Sequence, residues 1–145
     1  MNGRIARYVL LDTGFWRGLL NPADPMHAQA QRVYEVVEPC YVLVPWPTLY
    51  EFLNTAFTKR RAHVVALAAA LRSPGIRRID DEQYKRRALD EYLGERGEKR
   101  PMSLVDRVVR LMAEDVNLRV AAIATFNPGD FHDVCRDRGL EMLCG

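Results

Sequence analysis

Short uninterrupted runs of apolar β-formers, separated by long stretches of helical periodicity, constrain this chain more than any other feature. Tyr8-Val9-Leu10-Leu11 and Tyr41-Val42-Leu43-Val44 each end at a polar residue or proline, and Val120-Ala121-Ala122-Ile123-Ala124 is a third run of the same kind. Runs with no polar alternation predict strands buried on both faces. Ile76 to Ile79 and Leu140 to Leu143 are weaker and read as edge strands, which makes about five. Helical patterns fall between them, over Pro25 to Val37, Pro47 to Lys59, Ala62 to Leu71, Asp81 to Arg96 and Ser103 to Asn117. Such alternation predicts an α/β fold with a mostly parallel sheet of about five strands, flanked by helices. The helices between the second and third runs, around Thr48 to Leu71, predict a helical lobe beside the sheet. Gly94 to Pro101 is charged and holds glycine and proline, so it reads as a solvated loop.

The 145 residues suit one domain, 1–145. With 48% hydrophobic and 28% charged residues, the composition is that of a globular protein. No apolar run approaches the roughly 20 residues needed to cross a bilayer, and only four apolar residues separate Arg7 from Asp12, too few for a secretory signal. A cytoplasmic location is expected. Cys40, Cys135 and Cys144 are odd in number and widely spaced, which predicts reduced thiols and no zinc site. Net charge is +2, carried by 18 Arg and 3 Lys against 19 acids. Guanidinium groups grip phosphate well, but arginine on solvated helix faces has the same composition.

Four acids occupy comparable positions. Asp12 directly follows the first strand; Glu51 stands three residues after Thr48, at the start of the helix after the second; Asp106 stands three after Ser103, opening the helix that leads into the third; Asp130 follows that strand, three after Asn127. A helix that follows a strand begins at the strand's carboxyl end, and a helix leading into a parallel strand runs back from the same edge. All four acids therefore belong to one rim, where open α/β sheets hold their ligands. Thr48–Glu51 and Ser103–Asp106 also have capping-box spacing, and first-turn acids gain from the helix dipole, so each acid taken alone reads first as a cap. If Leu49, Phe52, Leu53, Ala56 and Phe57 form the buried stripe, Glu51 falls on the opposite side of its helix. Taken together, several carboxylates on one rim repel one another unless a cation neutralises them, and an oxygen-only donor set suits Mg²⁺ or Mn²⁺.

The pieces Leu10-Leu11-Asp12-Thr13, Asp24 with His27, Thr48-Leu49-Tyr50-Glu51, Ser103-Leu104-Val105-Asp106 and Ala124-Thr125-Phe126-Asn127 through Asp130-Phe131 resemble, in order and spacing, the PIN-domain family of metal-dependent nucleases, in particular single-domain toxins of the VapC type. The resemblance implies a PIN-like three-layer fold. It implies a Mg²⁺- or Mn²⁺-dependent endoribonuclease in which Asp12, Glu51, Asp106 and Asp130 are catalytic and hold metal, with Thr13 and Thr125 in support. RNA as substrate, a cognate antitoxin and a homodimer follow from the same likeness. The sequence departs from the family at Asn127, where many relatives carry an aspartate. An amide can still ligate through its oxygen, but it removes one charge, which weakens a second metal and motivates the alternative of a PIN-fold binding or scaffold protein with impaired catalysis. Arg107 stands where small residues are common and is either a phosphate contact or a solvent-facing side chain. Phe15, Trp16, Trp46, Tyr50 and Phe57 could stack on bases, although aromatics beside apolar stripes usually belong to the core. There is no Gly-rich phosphate loop and no serine-hydrolase elbow.

Overall fold

A computed structural model describes residues 3–53, 59–94 and 102–144. Strands β1 (Tyr8–Leu11), β2 (Tyr41–Pro45), β3 (Ile76–Ile79), β4 (Val120–Ala124) and β5 (Glu141–Leu143) form one sheet in the order β3-β2-β1-β4-β5. Every pairing is parallel. Seven α-helices flank it among the described residues: α1 (Thr13–Leu20), α2 (His27–Val37), α3 (Trp46–Phe52), α4 (Arg61–Leu71), α5 (Lys85–Gly94), α6 (Leu104–Glu114) and α7 (His132–Arg138).

The two faces of the sheet bury different side chains from the same strands, which explains the unalternating sequence. Val9, Leu11, Val42, Val44, Ala122 and Ala124 pack with Phe15, Trp16, Ala30, Val33 and Phe52 on one face. Leu10, Leu43 and Ile123 pack with Val108, Val109, Met112 and Phe131 on the other. Val120 joins the second group although Ala122 and Ala124 belong to the first, because the β1–β4 register shifts between Tyr8 and Val9 and the strand slips by one residue there.

The five expected strands are present, with β3 and β5 at the edges and the sheet wholly parallel. Two helices were not expected. α1 and α7 are only eight and seven residues long and start within one or two residues of a β-strand or 3-10 turn, so each is too short to show several apolar repeats. α3 begins at Trp46 rather than Pro47, and Lys59 lies in a turn, so no helix continues to that residue. α5 begins only at Lys85, because the amides of Tyr84 and Lys85 both fold back onto the Asp81 carbonyl in a turn. The charged segment 95–101 and the proposed stripe residues Ala56 and Phe57 lie outside the described residues.

The chain runs from β1 to β2 and β3 on one side of the sheet, then returns to β4 and β5 on the other. The reversal falls between β1 and β4. Helices leaving these two strands diverge to opposite sides, which opens a crevice at their carboxyl ends.

Candidate metal centre

Asp12 sits in that crevice. It is the N-cap of α1, with extended backbone (φ −80°, ψ 173°), and its Oδ1 accepts the Phe15 amide at 2.9 Å. Its Oδ2 accepts the Thr125 hydroxyl, at the end of β4, at 2.5 Å. The Asp12 amide in turn donates to the Ala124 carbonyl. The carboxyl is 3% exposed, and its pKa is pushed up from 3.8 to about 6. Burial is the main cause; the Thr125 and Phe15 hydrogen bonds pull the other way, and the charges of Asp106 and Asp130 raise it again.

Asp106 and Asp130 thus share the electrostatic neighbourhood of Asp12. Asp106 lies in the first turn of α6, capped by Ser103, whose hydroxyl accepts the Asp106 amide at 3.1 Å. The capping reading of that segment holds for Ser103 without removing Asp106 from the rim. Asp130 closes a 3-10 turn, Pro128–Asp130, and is buried. Arg110 of α6 anchors this turn by donating to the Asp130 carbonyl at 2.7 Å while gripping both oxygens of Asp133 at 2.7 and 2.8 Å. That grip holds the Asp133 carboxyl down at about 2.

Asn127 stands beside the same carboxylate. A Cβ on Gly14 would come within 3.8 Å of Asp12 Oδ1 and 3.9 Å of Asn127 Nδ2, so both side chains border Gly14. The Asn127 amide donates to Thr125 Oγ1 at 2.9 Å, making Thr125 a link between the Asn127 backbone and the Asp12 carboxylate. Thr13 is buried next to Asp12, and its hydroxyl has no hydrogen-bond partner among the described residues.

Glu51 is placed differently. Thr48–Glu51 is not a capping box: α3 starts at Trp46, Pro45 is its N-cap with no side-chain bond, and Glu51 falls in the second turn. Pro47 in the first turn gives up an amide that the helix would not have used there, which moves the start upstream of Thr48. Glu51 is half-buried. Of its expected apolar stripe, Leu49 and Phe52 are buried but Leu53 is exposed, and Thr48 is buried in its place.

Arg107 is 6% exposed, with its guanidinium carbon 6.0 Å from the centroid of the Tyr92 ring, which removes the solvent-facing alternative. His132 is exposed at the start of α7. The other family-like residues Asp24 and His27 work locally: Asp24 Oδ1 accepts the Met26 amide, and His27 Nδ1 lies 2.8 Å from the Gly18 carbonyl, tying α2 to α1.

A hard divalent cation matches the chemistry of these donors, since carboxylate oxygens are the ligands that Mg²⁺ and Mn²⁺ accept. Burial and the like charges of Asp106 and Asp130 stand against Asp12 as a bare anion. Among the described residues, however, no three His, Cys, Asp or Glu side chains lie close enough to form a ligand set by themselves. The residues therefore fit an ion that keeps most of its waters and touches few carboxylates.

No family model and no curated protein sequence matches this chain. Among solved structures it is similar to the crystal structure of Mycobacterium tuberculosis VapC20, a toxin that cleaves the sarcin-ricin loop, with TM-score 0.66 and 24% identity over 86% of this chain and 94% of that one. The likeness establishes a PIN-like α/β fold.

Proposed function

We propose that this protein is a Mg²⁺- or Mn²⁺-dependent endoribonuclease and the toxin of a toxin–antitoxin pair. The observation that carries the reading is the Asp12 carboxyl at the point where the strand order reverses, its pKa raised by burial and further by the charges of Asp106 and Asp130. The PIN-like fold shared with an RNA-cleaving toxin supports it.

In this reading Asp12, Asp106 and Asp130 hold the ion, with Glu51 at the margin and Asn127 offering its amide oxygen. The chemistry an ion supplies there is acidification of an attacking water and neutralisation of charge on the phosphodiester oxygens. The protein's own part is orientation. The Phe15 amide and Thr125 hydroxyl fix both oxygens of Asp12, and Arg110 fixes the turn carrying Asp130. With a pKa of about 6 Asp12 is largely ionised at neutral pH, and below about pH 6 the binding of a cation would release its proton.

The partners in this reading are RNA, a second copy of the chain, and an antitoxin whose basic segment covers the acidic rim. No helix among the described residues is long and apolar enough to cross a membrane, and the proposed place of action is the cytoplasm. A PIN-fold binding or scaffold protein with impaired catalysis is the second reading, favoured by Asn127. Incubating the protein with single-stranded and structured RNAs, with Mn²⁺, Mg²⁺ or chelator, decides between them. Metal-dependent cleavage lost in Asp12→Asn supports the nuclease; metal binding without cleavage of any RNA supports the scaffold.

A further inference from the structure

The aromatic residues near the carboxyl rim divide into two groups. Phe15, Trp16 and Phe52 are fully buried, with Trp16 and Phe52 stacked 6.3 Å apart. Trp46 and Tyr50 are 38% and 75% exposed. They are four residues apart on α3 and so share one face of the helix. Their ring centroids are 6.0 Å apart and their planes are inclined by 37°, an open wedge rather than a closed stack. Arg78, exposed on edge strand β3, lies with its guanidinium carbon 6.0 Å from the Trp46 centroid.

We propose that Trp46, Tyr50 and Arg78 form a stacking platform for unpaired bases of the RNA substrate. This rests on the ribonuclease reading above. α3 starts where β2 ends, so the platform belongs to the same rim as Asp12, with Glu51 next in sequence to Tyr50. Solvent-exposed aromatic faces attract any base, because every base has a π-face, and Arg78 beside them supplies a cation for the phosphate that accompanies it. The exposed cation of Arg78 against the Trp46 ring favours a polyanion over an apolar protein surface as the occupant.

The chain holds two tryptophans, and Trp16 is fully buried, so a fluorescence change on adding ligand reports Trp46. A short unstructured oligoribonucleotide is titrated in chelator, where no cleavage occurs, and KM and kcat are measured separately with Mn²⁺. RNA should quench the emission of the wild type. Tyr50→Ala should weaken binding and raise KM about tenfold with little change in kcat, Tyr50→Phe should restore both, and Arg78→Gln should weaken binding less. Cleavage with unchanged KM in Tyr50→Ala and Trp46→Ala, or emission that follows protein concentration and ignores RNA, overturns the platform and leaves the ribonuclease standing. A wild type that neither binds nor cuts RNA removes both.

Discussion

Thr125 donates its hydroxyl to Oδ2 of Asp12 across 113 residues of sequence, joining the carboxyl ends of β1 and β4 at the point where the sheet changes direction. The bond is buried, and it is one of two that hold the carboxylate charged against burial and two neighbouring acids.

Thr125→Val keeps the shape and removes that bond. The Asp12 pKa should then rise further above 6 in metal-free protein, since the bond lowers it. Loss of a buried bond to a charged group should cost about 1.5–3 kcal/mol at neutral pH. A carboxyl-carbon NMR titration beside chemical denaturation measures both; an Asp12 pKa left unchanged would show that Thr125 does not control it.

Asp12 should also leave a signature in stability against pH. Its folded pKa of about 6 exceeds the ordinary 3.8, so between these values the fold binds a proton more tightly than the unfolded chain. Its contribution is full below about pH 4 and is lost as pH rises through 6, on the order of 3 kcal/mol. Metal-free wild type should therefore lose stability relative to Asp12→Asn between pH 4 and pH 7, and the variant should be at least as stable at neutral pH while losing metal-dependent cleavage. Thermal melts of both proteins across this range check it. A large drop in melting temperature for Asp12→Asn at pH 7 would make Asp12 a structural residue.

Asn127→Asp adds a carboxylate that, like Asp12, borders Gly14. Without metal it should raise the Asp12 pKa further and lower stability at neutral pH. With Mn²⁺ it should tighten binding about tenfold, roughly 1.4 kcal/mol, and raise cleavage at low metal. Calorimetric titration gives affinity and stoichiometry, and two tightly held ions in the unaltered protein would refute a single strong site.

Arg110 is the clamp on the Asp130 turn. Arg110→Ala should cost about 1–2 kcal/mol, since the bond to the Asp130 carbonyl is shielded while the Asp133 pair is partly in water. Cleavage should fall more than stability predicts, because the turn carrying Asp130 loses its anchor. Arg110→Lys should recover little, having no fork for the two Asp133 oxygens. Melting temperature and kcat compared across the three proteins separate the two effects.

Much of the fold was legible because strands buried on both faces need unbroken apolar runs; those at 8–11 and 120–124 coincide with β1 and β4. Short helices escaped for the opposite reason, since α1 and α7 complete about two turns each and show no repeating stripe. At the site, local spacing misled at Thr48, where a proline-started helix displaced the capping box, and succeeded at Ser103, where nothing upstream competed for the cap. Arg107 follows an acid in sequence and reads as surface, yet α6 turns it inward beneath Tyr92.

The sequence by itself determined the parallel α/β layering and the rim on which Asp12, Asp106 and Asp130 fall, because strand burial and helix direction are consequences of local pattern and chain order. Only the tertiary structure decided what those acids experience. The raised Asp12 pKa, its bond to Thr125, the neighbourhood of Asn127 and the exposure of Trp46 and Tyr50 all depend on distances between segments remote in sequence, where desolvation and Coulomb energies are set by packing.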